Sequence, residues 1–221
     1  MKFLFSSIGK KIQMAISGIL FCVFLLFHLF NNLVLFAGSD TFNQMVSFLE
    51  SIKPIIRFME FGLLFILLIH IFNAIQITLL NRNARKISYM KNDLSSTTSY
   101  NSRIMIFSGL IILLFIFLHL FFIWGTYQSH SYFAEGETYY DVLIRNQLGY
   151  LGHTGTAIFY IISIVLIGSH LKHGFQSALK TFGILHNSKW GLLYHLGVIF
   201  WGIIPAGFII IIIAIQMEFI K

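Results

Sequence analysis

Five apolar runs decide what this chain can fold into. Residues 12–36, 56–80, 104–127, 149–171 and 191–217 each exceed the ~20 residues that a helix needs to cross a hydrocarbon core. The expected fold is therefore all-α and integral to a membrane: a five-transmembrane-helix bundle forming a single domain, 1–221. Only two prolines occur among 221 residues, which suits long uninterrupted helices. The first run is longer than a signal-peptide core, and no small-residue cleavage site closes it, so it is expected to stay as a span. A single cysteine, Cys22, lies in mid-span, which leaves no disulfide, thiolate cluster or iron–sulfur site within this chain.

The net charge of +7 is a topology signal rather than a nucleic-acid footprint, because the cations are sorted by side. Lys2, Lys10 and Lys11 precede the first run. Arg82, Arg85, Lys86, Lys91 and Arg103 lie between the second and third. Lys172, Lys180 and Lys189 lie between the fourth and fifth. Only Lys53, Arg57, Arg145 and Lys221 fall on the other side. The positive-inside rule then predicts a cytoplasmic N-terminus. Acids lean the opposite way: Asp93 alone is inside, and Asp40, Glu50, Glu60, Glu135, Glu137, Asp141 and Glu218 are outside. The 81–103 loop is polar and inside. The 128–148 loop is aromatic and acidic, with room for a short interfacial helix. The connection over 172–190 reads as the tail of helix four and a turn near Gly183. Trp124 and Tyr127 stand as interfacial aromatics at the outer end of span three.

Each of the first four spans carries one histidine away from its start: His28, His70, His119 and His170. An ionisable residue in hydrocarbon is costly and reads by default as functional. Depth sorts the four. His28 lies 17 residues after Lys11 and His119 lies 16 after Arg103, both ~25 Å along the helix from their cytoplasmic anchors. His70 lies 12 residues before Arg82 and His170 lies 10 before Lys180, ~15–18 Å from theirs. Two facing histidines at one depth can fill both axial positions of a haem iron, leaving no open site for oxygen and favouring electron transfer. The predicted pairs are His28/His119 toward the outside and His70/His170 toward the cytoplasm. His173, one turn beyond His170, competes for the inner position, and His170 matches the depth of His70 better. His130 and His186 fall in or near loops. His153 and His195 start helices four and five. The histidine runs that membrane di-iron sites need are missing. Gly149, Gly152 and Gly155 leave two readings open, close helix packing or clearance for a planar cofactor.

Two stretches resemble a known family. Lys11-Ile-Gln-Met-Ala-Ile-Ser-Gly18, followed by His28, Asn31 and Asn32, resembles the first helix of the cytochrome b membrane-anchor subunit of di-haem succinate:quinone oxidoreductases, the succinate dehydrogenases and fumarate reductases. His170-Leu-Lys-His-Gly174-Phe-Gln-Ser resembles the fourth haem-bearing helix of that family. The resemblance implies two haems b, an inner one on His70 and His170 and an outer one on His28 and His119. It implies a flavoprotein subunit and an iron–sulfur subunit docked on the cytoplasmic side, and a quinone, commonly menaquinone, near the outer haem. It also implies a place in a bacterial cytoplasmic membrane, in the respiratory chain. Lys180 resembles a basic position serving the inner haem's propionates. Gln13 and Ser17 are further candidates for propionate contacts, with ordinary packing as the alternative for all three. Glu60, ~15 Å further out than His70, is a candidate proton relay beside the quinone, or else a carboxylate paired with Arg57. Two rival functions stay open: another quinone- or hydrogenase-linked membrane cytochrome b, and a haem-free transporter or scaffold.

Overall fold

Helices account for the regular structure of the computed structural model, which describes residue 3 and residues 5–84, 100–129, 133–184 and 191–221, with backbone alone at 81–84 and 100–104. Helix α1 (Ser7–Leu33) is capped by Ser6, whose Oγ accepts from Gly9 N–H at 3.0 Å, and ends in a 3₁₀ turn, Val34–Ala37. Then follow α2 (Ser39–Ser51) and α3 (Lys53–Ala84). Helix α4 (Tyr100–His119) runs through a π-bulge, Leu120–Trp124, into α5 (Gly125–Gln128). After α6 (Tyr139–Ile144) comes α7 (Thr154–Thr181). Finally α8 (Leu192–Val198) passes through a second π-bulge, Ile199–Ile203, into α9 (Ile204–Gln216). Pro205 has no N–H to donate, and Gly168 of α7 admits the Trp201 carbonyl, which would lie 2.9 Å from a Cβ there.

Five segments are long and apolar enough to cross a membrane, one for each run, and no strand occurs among the described residues. Helices α1, α7 and α9 pack together, with α3 against α1 and α4 against α7. Phe58, Phe61, Phe65, Leu68 and Phe72 form an exposed stripe along α3 that a soluble protein would hide. Lys10, Lys11 and Lys180 stand at one end of the bundle, called here the basic end, and Asp40, Glu50, Glu137, Asp141 and Glu218 at the other. Lys2, Arg85, Lys86, Lys91, Lys189, Asp93, His130 and His186 lie outside the described residues, as does most of the 81–103 loop.

The fourth span starts later than expected, at Thr154 rather than residue 149, while its tail runs to Thr181 and turns near Gly183 as expected. Gly149 has φ +103° and belongs to the preceding turn, and His153 caps the helix, its Nδ1 accepting from Thr156 N–H at 3.3 Å. Residues 172–181 are mostly adequate helix formers and continue the helix until Gly183, at φ +70°, ends it. The glycine spacing is therefore not a helix face. Gly152 sits where a Cβ would fall 2.0 Å from the Ile144 carbonyl oxygen, and only Gly155 of the three is helical.

Helix α2 is a second departure. The stretch after the first span hides an amphipathic helix that buries Phe42 and Val46, one turn apart. It covers the acidic end together with α6. The Phe42 ring meets Tyr140 edge-on at 6.0 Å, and Tyr140 N–H donates to Asn43 Oδ1 at 3.1 Å. Helix α6 is the short helix expected between residues 128 and 148, started by a capping box between Thr138 and Asp141. Gln216 Nε2 donates to the Leu151 carbonyl at 2.7 Å and Ile220 is buried, which fastens the end of α9 to the same cap.

Glu137 and Arg145 brace this cap. Arg145 donates to both Glu137 oxygens, and Glu137 also accepts from Ala134 N–H at 2.8 Å. The guanidinium holds the Glu137 carboxyl below the ordinary carboxylate range. A carboxylate depressed by folding stabilises the cap above the unfolded value of about 4.3 and ceases to as pH falls through the folded value. Amide protection over 139–144, corrected for intrinsic exchange, should fall as pH drops below about 4, and Glu137→Gln should flatten that dependence. Equal pH profiles for the two proteins would show the pair to be incidental.

Candidate cofactor-binding site

The four mid-helix histidines meet in two pairs. The rings of His28 on α1 and His119 on α4 have centroids 5.9 Å apart at 85°. Those of His70 on α3 and His170 on α7 are 6.4 Å apart at 53°. Metal–imidazole bonds are about 2 Å, and a ring nitrogen stands about 1 Å from its centroid, so imidazoles on opposite sides of one metal have centroids about 6 Å apart. Both pairs fit that span. Among the described residues no three His, Cys, Asp or Glu side chains converge on a common point. Each pair therefore offers two ligands, which suits a metal whose remaining positions come from its own macrocycle.

Neighbouring helices aim each ring. His70 Nδ1 lies 2.8 Å from Ser17 Oγ of α1, and His170 Nδ1 lies 3.2 Å from Ser108 Oγ of α4. His119 Nδ1 lies 3.3 Å from the Tyr160 hydroxyl of α7. His28 is flanked by rings: Phe24 stacks on it at 5.4 Å and Phe208 tilts against it at 5.5 Å. Phe115 stacks on His119 at 5.7 Å. Beside the basic-end pair, Gly109 brings α4 against His170, 3.8 Å from a Cβ there, and a Cβ at Gly18 or Gly174 would meet only open space.

Three helices measure the separation of the two levels independently. Ser17 to His28 spans 11 residues, Ser108 to His119 spans 11, and Tyr160 to His170 spans 10. At 1.5 Å per residue the levels are about 15–17 Å apart. Ser108 and Tyr160 are absent from the sequence-based candidates. A signal for Ser108 exists: serine followed eleven residues later by histidine occurs in both α1 and α4.

The other candidates fall elsewhere. His173, one turn past His170 on α7, has no ring contact with His70 among the described residues. Gln13 Oε1 accepts from Asn73 Nδ2 at 3.1 Å, and the two line a cavity of about 200 Å³ with Lys10, Gln76 and Phe5. Gln76 Oε1 is buried there without a hydrogen-bond partner. Lys180 is exposed in the last turn of α7, about 15 Å beyond His170. Glu60 joins a cluster at the acidic end. Its carboxylate accepts from Arg57 and, at 2.9 Å, from Trp124 Nε1. Arg57 also donates to Gln128 Oε1, and its guanidinium lies 5.3 Å over the Trp124 ring.

With known proteins, the likeness is confined to the first part of the chain. The family described as succinate dehydrogenase/fumarate reductase transmembrane subunit matches residues 11–92, a stretch holding His28 and His70 but not their partners His119 and His170. No curated protein and no solved structure matches.

Proposed function

We propose that this chain is a di-haem cytochrome b that anchors a succinate dehydrogenase or fumarate reductase in a bacterial cytoplasmic membrane. The observation that carries the reading is the pair of imidazole pairs, each at a metal-bridging span and on two levels of one bundle. The family match over residues 11–92 supports the enzyme class. The sorting of Lys and Arg supports a cytoplasmic N-terminus and basic end. On that end would dock the iron–sulfur subunit and, beyond it, the flavoprotein subunit.

His70 and His170 would hold the inner haem, and His28 and His119 the outer. When bound, the two groups supply one-electron couples in series across the membrane. The chain's own work is to orient the imidazoles, exclude water and handle protons. Phe24, Phe115 and Phe208 flank the outer pair, and Tyr160 and the two serines would fix ring direction. Lys10 and the amides of Gln13 and Gln76, in the cavity that Asn73 also lines one turn along α3 from His70, suit an anionic propionate. Glu60, with Arg57, Trp124 and Gln128, would exchange a proton with a quinone, such as menaquinone, at the acidic end. Lys180 remains a candidate for a propionate bridged through its long side chain.

An absorption spectrum of the purified complex tests the reading: two b-type haems per chain are expected, with flavin and iron–sulfur subunits copurifying. A spectrum without a Soret band would end it. A haem-bearing chain without those partners would favour another quinone-linked cytochrome b. Glu60→Gln should slow quinone turnover about 100-fold while leaving both haems in place. Unchanged turnover would leave Glu60 as a structural partner of Arg57.

A further inference from the structure

Each imidazole of the basic-end pair rests on a serine hydroxyl that also reaches a carbonyl of its own helix. Ser17 Oγ donates to the Met14 carbonyl at 3.0 Å, and Ser108 Oγ donates to the Met105 carbonyl at 3.0 Å. A hydroxyl has one proton; where the carbonyl takes it, the oxygen accepts from the ring nitrogen. In that arrangement His70 and His170 carry hydrogen on Nδ1, at 2.8 and 3.2 Å from those oxygens. That leaves Nε2 with its lone pair free for a metal. Both serines are buried, 4% and 1% exposed, so water does not compete for the bond.

The acidic-end pair is held differently. His119 Nδ1 meets the Tyr160 hydroxyl at 3.3 Å, and that phenol can donate or accept. Among the described residues His28 has ring contacts but no hydrogen bond to a ring nitrogen. The two levels thus differ in the one feature that most directly changes how strongly an imidazole donates to a metal.

We propose that Ser17 and Ser108 are positioning residues that lock His70 and His170 in the Nε2-ligating tautomer and set the inner haem's potential apart from the outer one. The inference rests on the two-haem reading above. An Nδ1–H···Oγ bond pushes electron density onto Nε2, which favours ferric over ferrous iron. Removing one acceptor should weaken that preference about tenfold, raising the inner potential by about 59 mV for a one-electron couple.

Redox titration of haem absorbance in the assembled membrane complex decides the matter. Ser17→Ala and Ser108→Ala should each raise the potential of one haem, the same one in both, and leave the other unmoved. Ser163→Ala is the control: its Oγ donates to the Phe159 carbonyl at 2.8 Å and makes no hydrogen bond to an imidazole among the described residues, so both potentials should stay. If alanine empties the inner site, Ser17→Thr, which keeps the hydroxyl, should refill it at the wild-type potential. Unchanged potentials, a shift in the outer haem, an equal shift in Ser163→Ala, or a site empty in both variants overturns the assignment. A wild-type complex without haem would instead refute the two-haem reading.

Discussion

His28→Ala and His119→Ala should each lower haem content from two per chain to one, and both should lose the same one. His70→Ala and His170→Ala should also halve the content, and lose the other. Four single variants therefore fall into two phenotypes, the pairs being those whose rings stand 5.9 and 6.4 Å apart. The argument is geometric. An axial ligand cannot be replaced from the other level, because the two lie about 15–17 Å apart along α1, α4 and α7. Sites so far apart without shared partners should respond independently. Haem extraction for stoichiometry, with a redox titration to identify the component lost, gives the answer. If His28→Ala and His70→Ala lost the same haem, the pairing would be wrong. If His173→Ala removed the inner haem and His170→Ala did not, the ligand on α7 would be misassigned.

Gly149→Ala should be among the most damaging single-methyl changes in the molecule. Gly149 has φ +103°, where an L side chain is strained by about 1–3 kcal/mol. A Cβ there would also fall 2.2 Å from Cδ1 of Phe122, so that ring must move, adding about 1–3 kcal/mol of overpacking. Phe122 lies in the π-bulge that directly follows His119, so the displacement reaches a candidate haem ligand through three residues of backbone. Thermal unfolding in detergent should show a midpoint lower by about 5–20 °C. Gly62→Ala is the internal contrast. A Cβ there meets nothing within 4 Å, and alanine inside a helix should stabilise by up to about 1 kcal/mol. Equal midpoints for the two variants would contradict the close packing of Gly149.

Much of the site was legible because a helix is a ruler. Once the spans and their cytoplasmic anchors are set, a fixed rise per residue sorts His28 with His119 and His70 with His170. Rotation about the helix axis is not so constrained. The spacing offers Ser17 for a propionate contact or for packing, and does not foretell that its hydroxyl lies on His70 Nδ1. Tyr160 has no local signature and Ser108 only its eleven-residue spacing to His119, since a lone serine or tyrosine in an apolar run looks like packing until a neighbouring helix presents an imidazole to it. The pairing of Glu60 with Arg57 was an open alternative readable from a spacing of three on one helix. Its second partner, Trp124, comes from another helix and had no local signature.

The first loop teaches the same lesson at larger scale. Helix α2 has modest apolar content, and its packing against α6 and the 3₁₀ turn Val34–Ala37 makes Phe42 and Val46 buried residues. Helix α7 starts later than expected because Gly149 takes a positive φ against the Phe122 ring and Gly152 admits the Ile144 carbonyl, constraints that the sequence shows only as glycine.

By itself, the sequence determined five spans, their order, and the depth of every mid-span histidine, because hydrocarbon length and helical rise are local and constant. Only the tertiary structure decided which ring nitrogen faces a hydroxyl, which carboxylate faces an indole, and which glycines admit a neighbour. Those depend on how each helix is turned about its axis, and that angle is set jointly by all the faces packed against it.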